Sequence, residues 1–203
     1  MKPLNRDVCM KRNKMDFLAQ FIAEAGMLKN MPRSGWNVLG IKNPESVADH
    51  CFRCAVIGYI LAGMERADKF KVLLMTLFND IHEARITDLH KMAQRYIDLP
   101  EIENKAFFEQ IEFLPENIRS ELAGLRKEYL EQKTGESLIA RDADIIECLI
   151  QAKEYINYGY PQAEKFLKKS AKLLRTKTAL SLWAHIKSDE SMLWWEKLPN
   201  IKR

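Results

Sequence analysis

Glycine and proline are scarce in this chain, eight and seven among 203 residues. So few breakers leave room for long helices. Strand-like alternation of polar and apolar residues is also rare, which sets aside sheet-based architectures. Only four cysteines occur, Cys9, Cys51, Cys54 and Cys148. Cys51 and Cys54 form a lone C-x-x-C, short of the four ligands of a structural zinc site. Lying inside a helical pattern, they read as two small buried thiols. A chain this long buries a core without disulfides, so a reducing, cytoplasmic setting is expected. No apolar run approaches the roughly 18 residues needed to cross a bilayer. The stretch from Met1 to Lys14 is polar and basic, unlike a secretory signal. No internal repeat or low-complexity tract is visible.

What is present is the composition of an ordinary globule, 47% hydrophobic and 30% charged, with a net charge of +4. The length suits a single domain over residues 1–203. The basic excess falls late, in Lys165, Lys168, Lys169, Lys172, Arg175 and Lys177. It reads as a solvated helix face, with a phosphate-rich partner as the alternative. A charge run alone does not indicate nucleic-acid binding.

Apolar spacing predicts an all-α bundle. A first helix spans about Lys14 to Lys29, with Phe17, Leu18, Phe21, Ile22 and Ala25 as its stripe. A loop marked by Pro32, Gly35 and Pro44 carries Arg33 and Trp36. Ser46 opens a second helix with a capping box to Asp49. Its inner face runs through Val47, Cys51, Cys54, Ala55, Gly58 and Leu61 to about Gly63. A third helix is predicted as continuous from Asp68 to Arg85, with Leu73, Leu74, Leu77, Ile81 and Ala84 inward. An aromatic middle with Phe107, Phe108 and Phe113 precedes a helix from Pro115 to Glu131. Thr134 to Ser137 interrupts the pattern, and a helix resumes from Ser137 to Asn157. A last long helix covers Pro161 to Lys187. Trp194 and Trp195 are expected to pack back on the body, because exposed they would form a costly apolar patch.

Asp80 falls on the apolar stripe of the third helix. An unpaired carboxylate in a core costs several kcal/mol, roughly, so it must meet a cation. Glu83, at i+3, projects from a neighbouring part of the same face. His50 lies in the first turn of the second helix, a packed residue unless it faces Asp80. The helix from Ser137 adds Asp142, Asp144 and Glu147. Asp142 is the more inward by periodicity, and spacing does not choose between the two aspartates. Nitrogen and oxygen ligands converging from separate helices suit a divalent ion such as Mn, Fe, Co, Ni or Zn.

Four blocks carry a resemblance. They are Glu45-Ser46-Val47-Ala48-Asp49-His50, Phe78-Asn79-Asp80-Ile81-His82-Glu83-Ala84-Arg85, Asp88, and Ala143-Asp144-Ile145-Ile146-Glu147. In order and spacing over about residues 15–160 they resemble the HD-domain superfamily, within the branch of 5'-deoxynucleotidases and related nucleotide phosphohydrolases. The resemblance implies a single compact helical HD domain with a C-terminal helical extension. It implies a divalent metal (Mn, Co, Ni, Fe, Zn or Mg) held by His50, the pair Asn79 and Asp80, and Asp144, with Glu83 as the proton-transfer residue. It implies Asp88 near the sugar and attacking water, Trp36 against the deoxyribose, and Arg33 beside it. Arg53 and Arg85 are further candidates for the phosphate. The implied substrate is a small-molecule (deoxy)nucleotide, with a triphosphohydrolase as an alternative, and the implied assembly a homodimer. The segment around Phe107 and Phe113 offers an interface, or else ordinary core aromatics.

Asn79 departs from the family's His, and a neutral amide binds late transition metals poorly. An introduced disabling change, an altered metal site, and a nucleotide binder without turnover are then the alternatives.

Overall fold

The computed structural model describes residues 13–188. Cys9, Trp194 and Trp195 lie outside them, and with them the expected docking of the tryptophans. The helices are α1 (Lys14–Met27), α2 (Ser34–Asn37), α3 (Val47–Glu65), α4 (Lys69–Phe78), α5 (Glu83–Ile86), α6 (Leu99–Ile111), α7 (Glu116–Glu131), α8 (Gly135–Asn157), α9 (Glu164–Ser170) and α10 (Lys177–Ser188). Among the described residues no strand forms; one isolated bridge pairs Pro32 with Ser46.

α3 and α8 are the axis of the bundle. α3 starts where expected, because Ser46 Oγ accepts from Asp49 N (3.1 Å) and Asp49 Oδ2 accepts from Ser46 N (2.9 Å). Its inner face is the one expected, with Val47, Cys51, Cys54, Ala55 and Leu61 buried. His50 meets Glu147 while Cys54, further along α3, meets Ala143, earlier in α8, so the two helices run antiparallel. Leu61, Ile146 and Leu149 are fully buried between them, each contributing about 2 kcal/mol of apolar burial. Gly58 lets α4 approach closely: a Cβ there would sit 3.0 Å from Val72 Cγ1 and 3.1 Å from Thr76 Cγ2.

α3 is also long and apolar enough, by composition, to cross a membrane, but half of that window is buried in the bundle. Its outward face remains apolar, with Phe52, Val56, Tyr59, Ile60 and Met64 exposed.

Four expectations change. The third helix is not continuous to Arg85. α4 ends at Phe78, and i→i+3 bonds such as Glu83 N to Asp80 O (2.9 Å) carry the chain through a turn into α5. Its buried side is Val72, Met75 and Thr76, the side facing Gly58, and Leu77 is exposed. In α1, Ile22 is exposed while Leu18, Phe21 and Ala25 half-bury against the core.

The last helix is broken as well. α9 and a following 3-10 turn stop at Leu173, and α10 begins at Lys177. Asp142, fully buried in α8, accepts from Arg175 N (3.0 Å) and Thr176 N (2.7 Å) and so opens a new helix at that point. The lysines of this stretch point to solvent, as a solvated face requires.

A second, smaller core gathers Trp36, Ile41, Ala152, Tyr155 and Ala163. It ties the loop before α3 to the C-terminal half of α8. Tyr155 Oη accepts from Glu45 N at 2.9 Å, one residue ahead of the α3 cap. The entry to α3, and His50 with it, is thereby fixed from two sides.

Candidate metal centre

Two carboxylates from separate elements approach one imidazole nitrogen. His50, in the first turn of α3, is buried and presents Nε2 to Asp144 Oδ1 of α8 at 3.0 Å. Asp80 Oδ2, from the turn after α4, lies 3.6 Å from the same nitrogen. The turn matters: Asp80 is inward because α4 ends before it, not because it lies on a continuous apolar stripe. About a third of the Asp144 side chain remains open to solvent, at 32% exposure, which gives the centre an approach.

Asp142 and Asp144 are separated by 200° on an ideal helix of 100° per residue, so they serve opposite sides of α8. Both are inward. Asp142 caps α10, and Asp144 faces His50.

The other ring nitrogen of His50 is bound to Glu147. Nδ1 and Glu147 Oε2 make a short contact, and Glu147 is itself fully buried. Arg53 braces it, donating to Glu147 Oε1 through Nε (3.0 Å) and through the same nitrogen (2.7 Å) that reaches Gln151 Oε1 (2.7 Å). Its remaining guanidinium nitrogen takes both oxygens of Glu154 at 2.9 Å. Arg53 is therefore spent inside the protein, and the expectation of a phosphate contact gives way to a bracing position. Burial opposes the charge of Glu147, yet His50 and Arg53 hold its carboxyl below the usual range. Spacing held a signal for this: Asp144, Glu147, Gln151 and Glu154 form one polar stripe along α8, opposite Arg53.

Asn79 donates from Nδ2 to Asp80 Oδ1 at 2.7 Å. His82, in the same turn, points away toward Arg126 (3.5 Å) and Glu103 (3.7 Å). Glu83 is buried, and its Oε2 has no hydrogen-bond partner among the described residues. Burial, then the charges of Asp80 and Asp88, push its carboxyl well above the ordinary range. Asp88 follows Thr87, a β-branched residue at φ +63°, a strained backbone costing on the order of 1–3 kcal/mol. Asp88 Oδ2 accepts from Ser34 N at 2.7 Å, which brings the loop carrying Arg33 against the centre. Arg33 stands 3.7 Å from Asp80 Oδ2. Burial disfavours its charge, but Asp80, Asp88, Glu83 and Asp144 surround it and hold it protonated.

Trp36 is 2% exposed. Its Nε1 donates to Glu45 Oε1 (2.9 Å), and its ring packs on Tyr155 and Phe166, with centroids 5.1 and 4.5 Å away. The second core thus holds the indole beside the loop that carries Arg33. Arg85 is likewise engaged, with Glu24 at 2.8 Å. Phe107 is 1% exposed beneath the Arg126 guanidinium, a core aromatic rather than an interface. Phe113 is partly open and stacks on Phe17 at 4.3 Å.

His50, Cys54 and Glu147 also lie close enough to share an ion. Burial pushes the Cys54 thiol up to about 12, so its sulfur stays protonated. Glu147 is already engaged by Arg53. The His50, Asp80 and Asp144 group needs no thiolate, and its arginine, Arg33, stands at 3.7 Å from Asp80 Oδ2, against 2.7 Å for Arg53 on Glu147.

Comparison with known proteins gives this arrangement a family. The human 5'-deoxynucleotidase HDDC2 is 32% identical over 139 residues, 68% of this chain and 68% of its own length. A 5'-deoxynucleotidase of Erwinia tasmaniensis is 27% identical over 169 residues, covering 78% of this chain and 82% of its own. A solved structure from Pyrococcus horikoshii superposes with a TM-score of 0.72 at 30% identity, over 84% of this chain and 96% of that one. A conserved hypothetical protein from Pyrococcus furiosus gives 0.71 at 33% identity, over 83% and 96%. With the family model for the HD domain matching residues 25–183, the chain belongs to the HD-domain family.

Proposed function

We propose that this chain is a divalent-metal-dependent 5'-deoxynucleotidase, hydrolysing a deoxynucleoside 5'-monophosphate to the deoxynucleoside and phosphate. The observation that carries the reading is the convergence of His50 Nε2, Asp80 Oδ2 and Asp144 Oδ1 within 3.6 Å of the imidazole nitrogen. One imidazole and two carboxylates make a donor set that fits a divalent cation such as Mg, Mn, Fe, Co, Ni or Zn. The buried, unpartnered Glu83 Oε2 beside them adds a polar atom that a charged ligand would satisfy. When bound, such a cation withdraws charge from phosphoryl oxygens and acidifies water.

The chain's own groups divide the remaining work. Arg33, ringed by carboxylates, is the cation that meets the substrate phosphate. Glu83, in its ionised form, takes the proton of the attacking water at Oε2 and returns it to the departing sugar oxygen, its burial favouring the protonated carboxyl that the first transfer makes. Asp88, anchored by Ser34 N, is assigned to the sugar and the attacking water, the role the family resemblance implies. Trp36 contributes by holding the Arg33 loop in place.

The reading extends to a single domain acting in the cytoplasm as a homodimer. The free thiols Cys51, Cys54 and Cys148 support a reducing compartment, and light scattering of the full chain tests for twice its mass. No nucleic-acid partner is included, since the exposed lysines lie along an ordinary solvated helix face.

The test is a panel of ribo- and deoxynucleoside mono- and triphosphates with Mn, Co or Mg. Phosphate release from deoxynucleoside monophosphates is expected. No release from any member, with Asn79→His also inactive, overturns the reading.

A further inference from the structure

We propose that Asn79 is a positioning residue for the Asp80 carboxylate, not a metal ligand, and that it biases the centre toward hard, oxygen-preferring cations such as Mg2+ or Mn2+ over Zn2+. This rests on the metal centre proposed above.

An ionised carboxylate only accepts hydrogen bonds, so the amide must turn its nitrogen, not its oxygen, to Asp80 Oδ1, as it does at 2.7 Å. The amide oxygen then lies on the other branch of the planar group, turned from that carboxylate oxygen. With Oδ1 engaged, Oδ2 is the oxygen left to face His50 Nε2 and Arg33.

The backbone reinforces this direction. Asn79 is the C-cap of α4, and its carbonyl faces an Arg126 guanidinium nitrogen at 3.5 Å. Arg126 is itself buried, bonded to Asn104 Oδ1 at 2.9 Å and lying over the Phe107 ring at 4.8 Å. The turn is therefore held from behind, and the side chain is delivered beside Asp80.

The centre then offers one nitrogen and two oxygens. Carboxylate-rich sets suit Mg2+ and Mn2+, whereas each added imidazole favours the later metals. A side chain that aims a ligand without touching the ion typically affects affinity about 10–100-fold.

The experiment is calorimetric titration of the full chain, stripped by chelator, with MnCl2 and with ZnCl2. Asn79→Ala, Asn79→His and Asp144→Ala are compared with the wild type, with circular dichroism to confirm folding. Asn79→Ala is expected to weaken Mn2+ binding about 10–100-fold, the range for an orienting partner. Asn79→His is expected to raise the preference for Zn2+ over Mn2+ by about tenfold or more, through an added nitrogen donor. Asp144→Ala is expected to lose both metals. If Asp144→Ala loses them while either Asn79 variant keeps the wild-type values, the positioning role is overturned and the centre stands. If Asp144→Ala binds both metals like the wild type, the centre and the positioning role fall together.

Discussion

Glu147 holds His50 by Nδ1 and thereby fixes Nε2 as the nitrogen facing Asp80 and Asp144. One buried carboxylate on α8 thus sets the direction of an imidazole on α3. Arg53, bonded to Glu147, Gln151 and Glu154, keeps that carboxylate from turning.

Glu147→Gln is expected to loosen metal binding about 10–100-fold, the usual effect of losing a partner behind a ligating His. Titration calorimetry with Mn2+ measures it. Affinity equal to the wild type would mean that His50 needs no support from α8.

Glu83→Gln keeps the shape of a buried side chain but removes the proton-accepting carboxylate. Turnover is expected to fall about 10²–10⁴-fold, with KM and metal affinity little changed. Steady-state kinetics beside a metal titration separates this from damage to the centre.

Asp142→Ala should act on stability alone. Its carboxylate accepts from Arg175 N and Thr176 N at the start of α10. Losing it costs about 2 kcal/mol, seen as a Tm lower by several degrees. Metal affinity is expected to stay at the wild-type value, the reverse of Asp144→Ala.

Glu45 makes stability depend on pH. Burial, then the charge of Glu147, pushes its carboxyl from the ordinary 4.5 up to about 7. A carboxyl raised in the folded state binds more protons there than in the unfolded chain. Its contribution is fully present below the unfolded pKa of about 4.5 and is lost as pH rises through about 7. The loss is on the order of 3 kcal/mol. Glu45→Gln can still accept from Trp36 Nε1 and removes that slope. Urea denaturation at pH 5 and pH 8 should show the variant gaining on the wild type at the higher pH.

Local features were the legible ones. The start of α3 follows from Ser46 and Asp49, which bond to each other within one turn, and its buried face follows from spacing along a single helix. The family blocks nominated His50, Asp80 and Asp144, which the fold brings together although 94 residues separate His50 from Asp144. The breaks were not legible, because their causes are distant in sequence. α10 starts where it does because of Asp142, 33 residues before Arg175. Arg53 was a candidate for the phosphate, and the bracing it gives was hidden because its partners lie on α8. The burial of Trp36 was not legible because the core that takes it is completed by Tyr155 and Phe166.

The most direct measurement is anomalous scattering from crystals grown with Mn2+. A manganese peak contacting His50 Nε2, Asp80 and Asp144 is expected, with Asn79 Nδ2 still on Asp80. A peak at His50, Cys54 and Glu147, or one coordinated by the Asn79 amide oxygen, would contradict this placement.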